Sequence, residues 1–62
     1  MKFKIIAEAH EGVYSVDEEC LAVVNASTVH EAMGIYAIKD PRLTWVEDGF
    51  WINARRIVAV PE

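Results

Sequence analysis

One helix with clearly marked ends is the feature that most constrains what this chain can fold into. Thr28 and Glu31 have the spacing of a capping box, in which Thr28 accepts from the Glu31 backbone N–H and the Glu31 carboxylate reaches back to Thr28. Asp40-Pro41 ends the helix, because the residue before a proline is disfavoured in the α region. The sequence therefore predicts a single helix of roughly three turns.

The helix has apolar residues on more than one side. Those spaced i, i+3, i+4 and i+7 form a stripe that should face a sheet: Val29, Ala32, Met33 and Tyr36. Ile35 and Ile38 point about 100–160° away from the centre of that stripe. Either curled or folded-over strands cover these two residues, or another molecule does, and both explanations stay open.

The N-terminal half is predicted to supply three strands. Side chains alternate between apolar and polar from Lys2 to Ala9, which is typical of a half-buried strand. A turn at His10-Glu11-Gly12 leads to a second strand at Val13–Val16, paired with the first as a hairpin. The apolar run Cys20–Ala26 predicts a middle strand that is buried on both faces.

The C-terminal part is predicted to form a hairpin and a last strand. Leu43–Val46 and Phe50–Asn53 flank a Glu47-Asp48-Gly49 turn, and a single turn at Asn53–Arg56 leads into Ile57–Val60. We therefore expect one α+β domain over residues 1–62, with one helix packed on a small antiparallel sheet. The predicted element order is β-β-β-α-β-β, with room for a short sixth strand.

Size and composition argue against an enzyme. A chain of 62 residues buries only about 60% of the surface that it exposes when unfolded, so it cannot also enclose a deep substrate pocket. Cys20, His10 and His30 lack the spacing of zinc ligands, and no glycine-rich phosphate loop or pair of catalytic carboxylates is present. We expect no catalytic residue, no metal and no cofactor.

Charge and cysteine content indicate the compartment and disfavour one class of partner. The net charge of −4 argues against a general nucleic-acid binder, which needs a surplus of Lys and Arg. A single cysteine fits a reducing compartment, and the apolar run after Met1 is too short for a signal peptide or a membrane span. We expect a cytoplasmic protein without a targeting segment.

Two tryptophans flank the predicted C-terminal hairpin. Because side chains alternate between faces, we expect one of them, Trp45, in the core and Trp51 partly exposed beside Arg55 and Arg56. An exposed Trp–Arg cluster has the composition of an interface hot spot. Two alternatives stay open: Trp51 covers the open edge of the core, or it stacks on single-stranded nucleic acid.

These observations predict two interaction surfaces on a homodimer. The predicted apolar and basic contacts are Ile35, Tyr36, Ile38, Trp51, Arg55 and Arg56. The predicted acidic surface, which would steer association, is Asp17, Glu18, Glu19, Glu47 and Asp48.

The stretch from Lys2 to Ile38 resembles the partial RNase H-like domain of HicB-type antitoxins. The similarity lies in a Phe-containing first strand, in Glu11-Gly12-Val13-Tyr14, and in a Thr28-Val29-His30-Glu31-Ala32 helix start after a strand. This resemblance implies an oligomer that neutralises a partner protein by binding it. In general style, the short acidic α+β chain is also similar to phage-encoded inhibitors such as anti-CRISPR proteins, which would place it in the host cytoplasm.

Together these points predict a small non-catalytic protein-binding module that inhibits or adapts a larger protein or nucleoprotein as a homodimer. The alternative is a small nucleic-acid-binding regulator that uses Trp51, Arg55 and Arg56.

Overall fold

The computed structural model describes residues 1–10, 15–47 and 49–62, which form five strands and one helix. In chain order they are β1 (Lys2–Ala7), β2 (Glu19–Asn25), α1 (Val29–Lys39), β3 (Thr44–Val46), β4 (Gly49–Ile52) and β5 (Arg55–Pro61). Two strands precede the helix and three follow it. The predicted order β-β-β-α-β-β is therefore wrong, and the observed order is β-β-α-β-β-β.

The difference arises at the predicted second strand, Val13–Val16. Residues 13 and 14 lie outside the described part of the chain, and Val16 forms only an isolated bridge with His10, in which each backbone N–H donates over 2.9 Å. β1 pairs instead with β2, with Lys2 opposite Asn25 and Ala7 opposite Glu19. Local alternation predicts a strand but does not select its partner among later segments of similar composition.

The sheet is antiparallel and has the strand order β2-β1-β5-β4-β3. The last strand in sequence thus lies at the centre, and β2 lies at an edge. The prediction that Cys20–Ala26 forms a middle strand buried on both faces is wrong, because β2 ends at Asn25 and Val23 is 51% exposed. α1 carries the chain from one edge of the sheet to the other.

The C-terminal hairpin is confirmed as β3 and β4, with Trp45 opposite Phe50. The predicted single turn at Asn53–Arg56 is shorter than expected, because Arg55 and Arg56 already belong to β5. Asn53 occupies the left-handed region with φ 55°, which asparagine tolerates better than most residues.

α1 packs on one face of the sheet, against β1, β2 and β5. Ala32, Met33 and Tyr36 of the predicted stripe are buried there with Phe3, Ile5, Val24, Ile57 and Ala59, whereas Val29 is about half exposed. Ile35 is half-buried and packs against this core, but Ile38 is 86% exposed. The second apolar face of the helix is therefore reduced to Ile38.

Both helix ends form where the sequence predicts them. The Glu31 N–H donates to Thr28 Oγ1 over 3.1 Å, and the Glu31 carboxylate accepts from the N–H of Ser27 over 3.4 Å rather than from Thr28. The last helical residue is Lys39, and Asp40 is the C-cap. No helix in the described ranges is long and apolar enough to cross a membrane.

Candidate functional site

The two faces of the sheet differ, and the side opposite α1 is here called the open face. Within residues 1–10, 15–47 and 49–62, no helix covers it. Side-chain alternation and strand register assign its members. They are Lys2, Lys4, Ile6 and Glu8 from the β1 side, Cys20, Val23 and Asn25 from β2, Thr44 and Val46 from β3, Gly49 and Trp51 from β4, and Arg56, Val58, Val60 and Glu62 from the β5 side.

An apolar band crosses the open face from one edge strand to the other. Ile6 of β1 lies between Cys20 of β2 and Val58 of β5. Gly49 follows on β4, and its partner Val46 on β3 is 46% exposed. Val23 and Val60 flank Lys4 in the next row of the sheet and are 51% and 39% exposed. The band thus crosses all five strands, with Ile6 at its centre buried at 6% exposure and the three valines as its exposed part.

The open face carries charges of both signs, and the chain as a whole carries a net charge of −4. Among the described residues that face carries the cations Lys2, Lys4 and Arg56 and the acids Glu8 and Glu62; Glu62 lies opposite Lys2, where its N–H donates to the Lys2 backbone oxygen over 2.9 Å. The Glu8 carboxylate lies 4.0 Å from Arg56 Nε and partly balances that cation. Lys4 lies between Val23 and Val60, and Lys2 lies next along β1, opposite Glu62.

Trp51 and Arg56 form a cation–π pair on the open face. The guanidinium carbon of Arg56 lies 5.1 Å from the centroid of the Trp51 ring, and both side chains are half-buried. Gly49 borders this pair, since a Cβ there would lie 3.5 Å from Arg56 Nη1. The Trp–Arg pair is therefore held in place within the sheet and remains accessible.

Trp45, which the sequence places in the core, is 73% exposed, so that prediction is wrong. Its partner Phe50 pairs in turn with Ile57 of the core, so Trp45 lies on the same side of the sheet as α1. The hairpin β3–β4 extends beyond the strands on which α1 packs. Nothing in the described part of the chain therefore covers Trp45.

Arg55 lies on the opposite face from Arg56 and binds the chain itself. Its guanidinium donates to the backbone oxygens of Ala7, Glu8 and Asp17 over 3.2, 3.4 and 2.7 Å, and its Nη1 lies 3.4 Å from the Glu19 carboxylate. This side chain connects the end of β1 to the segment that leads into β2. The structure does not bring Arg55 together with Trp51 and Arg56.

The other predicted site residues are dispersed. Tyr36 is buried and donates its hydroxyl to Asp40 Oδ2 over 2.8 Å, and Ile35 and Ile38 lie on α1 as described above. Asp17, Glu18 and Glu19 are exposed beside the β2 edge, whereas Glu47 is exposed beside β3 at the opposite edge. Asp48 lies outside the described residues. The predicted acidic residues therefore form no single patch.

Asp40 has a structural role at the end of α1. The Nε and Nη2 of Arg42 donate to its two carboxylate oxygens over 2.9 and 2.8 Å, and the Arg42 backbone N–H donates over 3.1 Å. These bonds, followed by the one from Tyr36, hold the pKa of Asp40 well below its ordinary value. Burial and the bond to Asp40 raise the pKa of Tyr36. The cluster fixes the chain where it leaves the helix.

Sequence reasoning missed Lys2, Lys4, Val23, Val58 and Val60 as members of one surface. The alternation from Lys2 to Ala9 does put both lysines on the polar side of the first strand. Their neighbours, however, come from β2 and from β5 near the other end of the chain. Only the strand order reveals that these residues meet.

The described residues include no group of three or more His, Cys, Asp or Glu side chains that could hold a metal ion. A groove of about 270 Å³ lies between the start of α1 and β4–β5, lined by Val29, Met33 and Phe50 among others. It is smaller than the usual 300–1,000 Å³ of a ligand pocket. A more open groove of about 330 Å³ lies beside the N-terminus, lined by Met1, Asn25 and Glu31 among others. The open face, by contrast, extends over all five strands.

Comparisons with protein-family models, with curated proteins and with solved structures found no match to this chain.

Proposed function

We propose that this chain is a small non-catalytic protein-binding domain that inhibits or adapts a larger macromolecule through its open face. The observation that supports this best is an apolar band across a sheet face that no helix within the described ranges covers, bordered by the Trp51–Arg56 pair. Trp and Arg are the residues most enriched at interface hot spots, and exposed valines supply apolar area that a partner would bury. Binding would block or recruit the partner without chemical conversion.

Affinity capture with three forms of the protein tests this function. The wild type, Val23→Glu on the open face and Val29→Glu on α1 serve as baits, because both valines are about half exposed and either glutamate can be solvated without unfolding the chain. A glutamate at the first position of α1 also suits the helix dipole. The captured protein is then purified and titrated by calorimetry.

We expect the wild type and Val29→Glu to bind the partner equally and Val23→Glu to bind at least tenfold more weakly. Inhibition or recruitment of the partner's own activity should follow the same order. Equal affinity of all three forms would contradict the proposal, as would chemical conversion of the partner by the wild type.

The proposed function includes a homodimer. Ile38 supports it, because this isoleucine is 86% exposed on the helix side and does not compete with the open face. Sedimentation velocity over a hundredfold dilution series should give a dimer for the wild type and a monomer for Ile38→Asp. A wild type that is monomeric at every concentration would contradict the dimer and leave the role of the open face to be decided by the capture experiment.

A nucleic-acid regulator that uses Trp51, Arg55 and Arg56 is less well supported. Arg55 lies on the opposite face and already binds three backbone carbonyls. The three side chains would therefore have to be rearranged before they could contact a single nucleic-acid strand.

A further inference from the structure

We infer that two copies of this chain pair through the outer edge of β2, so that their sheets join and the facing sides of their α1 helices meet. This inference rests on the homodimer of the proposed function, since it names the surface through which the copies associate. It follows from the outward-facing backbone of β2 and from the order of charges along α1.

β2 presents an open backbone edge in the described part of the chain. It lies at one edge of the sheet and pairs on its inner side with β1. The Ala26 N–H donates to the Met1 oxygen over 2.9 Å, so alternation turns the N–H and C=O groups of Val23 and Asn25 away from β1. Groups exposed along an edge in this way pair readily with another extended strand.

The side chains of β2 leave its edge accessible. The strand contains no lysine and no proline, which commonly prevent pairing at an edge. Its register with β1 skips Leu21, so the regular part available for pairing is Ala22–Asn25. Leu21 and Ala22 are half-buried and pack against the core, and Val23 is 51% exposed. A contact along this edge would therefore also bury apolar area.

One flank of α1 is turned toward the same edge. The groove between α1 and β4–β5 is lined by Val29, His30 and Met33, so their flank of the helix faces the other strands. At 100° per residue, Ile35 points about 170° from the middle of that flank, and Ile38 lies beside it. The two isoleucines outside the predicted stripe therefore share the flank nearest β2.

The helix runs antiparallel to β2. Near its start, Glu31 lines a groove together with Asn25 at the end of β2. Just beyond its end, Arg42 lines a groove together with Glu19 and Leu21 at the start of β2. The middle of α1 therefore lies level with the middle of β2, so one two-fold axis can relate both elements to their copies.

The flank of α1 that faces this edge is complementary to itself. Glu31, Ile35 and Lys39 are spaced four residues apart and form one row along the helix. In antiparallel helices about a two-fold axis at Ile35, each Glu31 faces Lys39 of the other copy. Lys39 has no ion pair in the described part of the chain. The Glu31 carboxylate accepts the Ser27 N–H on Oε1 at 3.4 Å, and Oε2 has no bond within the described residues.

The spacing of strands brings the two helices within reach of each other. α1 packs on β1, β2 and β5 and so lies above β1, the middle one of the three. In the joined sheet the two β1 strands are three strand spacings apart, about 14 Å. This is wider than the about 8–10 Å of close helix packing, so side chains rather than backbones fill the gap. An isoleucine pair flanked by Glu–Lys pairs is suited to it.

A second copy fits this edge better than an unrelated strand. Any extended segment can pair with the outward groups of Val23 and Asn25. Such a segment alone would leave Ile35, Ile38 and Lys39 without a contact, whereas a second copy also brings its own α1 to that flank.

Charge variants of the full chain test the inference. Lys39→Glu puts acids at both ends of the row and Glu31→Lys puts lysines there, so each variant alone should dimerise at least fivefold more weakly than the wild type at low salt. An equimolar mixture of the two should form a heterodimer with two Glu–Lys pairs and regain the affinity of the wild type. Glu47→Lys, at the opposite edge of the sheet, should dimerise like the wild type. Sedimentation velocity over a dilution series gives these affinities.

Recovery in the mixture separates the interface from a loss of folding, because two chains that are merely destabilised do not rescue each other. Amide hydrogen exchange followed by NMR then locates the strand contact. The amides of Val23 and Asn25 should exchange at least tenfold more slowly at concentrations where the dimer dominates than in dilute solution. The amides of β3, at the other edge, should not change.

Three results would overturn the inference: single variants that dimerise like the wild type, a mixture that shows only the average of its components, or exchange at Val23 and Asn25 that does not respond to dimerisation. A dimer that is lost in Ile38→Asp but tolerates both charge variants would keep the dimer of the proposed function and reject the β2 edge. A wild type that is monomeric at every concentration would reject both, whereas the capture experiment would still decide whether the chain binds a partner.

Discussion

Neighbouring residues of the same type have opposite roles in this molecule. Arg55 binds backbone carbonyls on the helix side, whereas Arg56 stacks on Trp51 on the open face. Trp45 is 73% exposed and Trp51 is half-buried, although both belong to the same hairpin. Strand alternation separates the arginines, and the limited extent of α1 separates the tryptophans.

Truncating the two tryptophans should therefore have unequal effects on stability. We expect Trp45→Ala to lower the free energy of unfolding by about 0.5 kcal/mol or less, as for an exposed surface residue. Trp51→Ala removes half-buried area and the ring under Arg56, and should cost about 2 kcal/mol. Urea denaturation of both variants measures the difference, and a larger loss for Trp45→Ala would contradict the assignment of faces.

Asp40 should make stability depend on pH in the acidic range. Arg42, and after it Tyr36, hold the pKa of the folded carboxyl well below its ordinary value of 3.8. The unfolded chain therefore takes up the proton first as the pH falls. The stabilisation is complete above the ordinary pKa and is lost progressively as the pH falls below it toward the folded pKa.

We expect the melting temperature of the wild type to fall more steeply between about pH 5 and pH 2.5 than that of Asp40→Asn. Thermal melts followed by circular dichroism give the comparison. Parallel pH profiles for the two proteins would mean that Asp40 is not the group responsible.

At the scale of elements, what could be predicted from the sequence was decided by local chemistry. The helix is correct because Thr28, Glu31 and Pro41 act within one or two turns. The hairpin β3–β4 is correct because its strands are adjacent in the chain. A strand at Cys20–Ala26 was predicted, but its pairing with β1 at an edge of the sheet and the central position of β5 were not, since both depend on pairing with β1 across long sequence separations.

The candidate site likewise could be predicted only where its residues are close together in the sequence. The pairing of Trp51 with Arg56 could be predicted because the two residues are five positions apart in the chain, on either side of one turn. The proximity of Lys4 to Val60 and Val23 was not, because it requires the complete strand order. A surface built from three strands that are distant in sequence has no local motif.

Arg55 is the side chain that stabilises the long connection between β1 and β2. Arg55→Lys keeps the charge but loses the planar fork that reaches Ala7, Glu8 and Asp17 together, so we expect a loss of about 1–2 kcal/mol in the free energy of unfolding. Arg56→Lys keeps a cation over Trp51 and should change stability by less than about 0.5 kcal/mol. Urea denaturation compares the two, and equal losses would show that position 55 needs only a positive charge.

At the scale of the whole molecule, the proposed function depends on the difference between the two faces of the sheet. One face carries the helix and the core, and the other combines an apolar band with the Trp51–Arg56 pair and with charges of both signs. The open face is therefore the surface on which the proposed function depends.

Chemical-shift mapping of the ¹⁵N-labelled chain with the purified captured partner tests this claim most directly. We predict that the largest changes fall on the amides of Lys4, Val23 and Val58 and on the indole N–H of Trp51, while the amides of α1 change little. Changes concentrated on α1, with the open-face signals unmoved, would contradict the account.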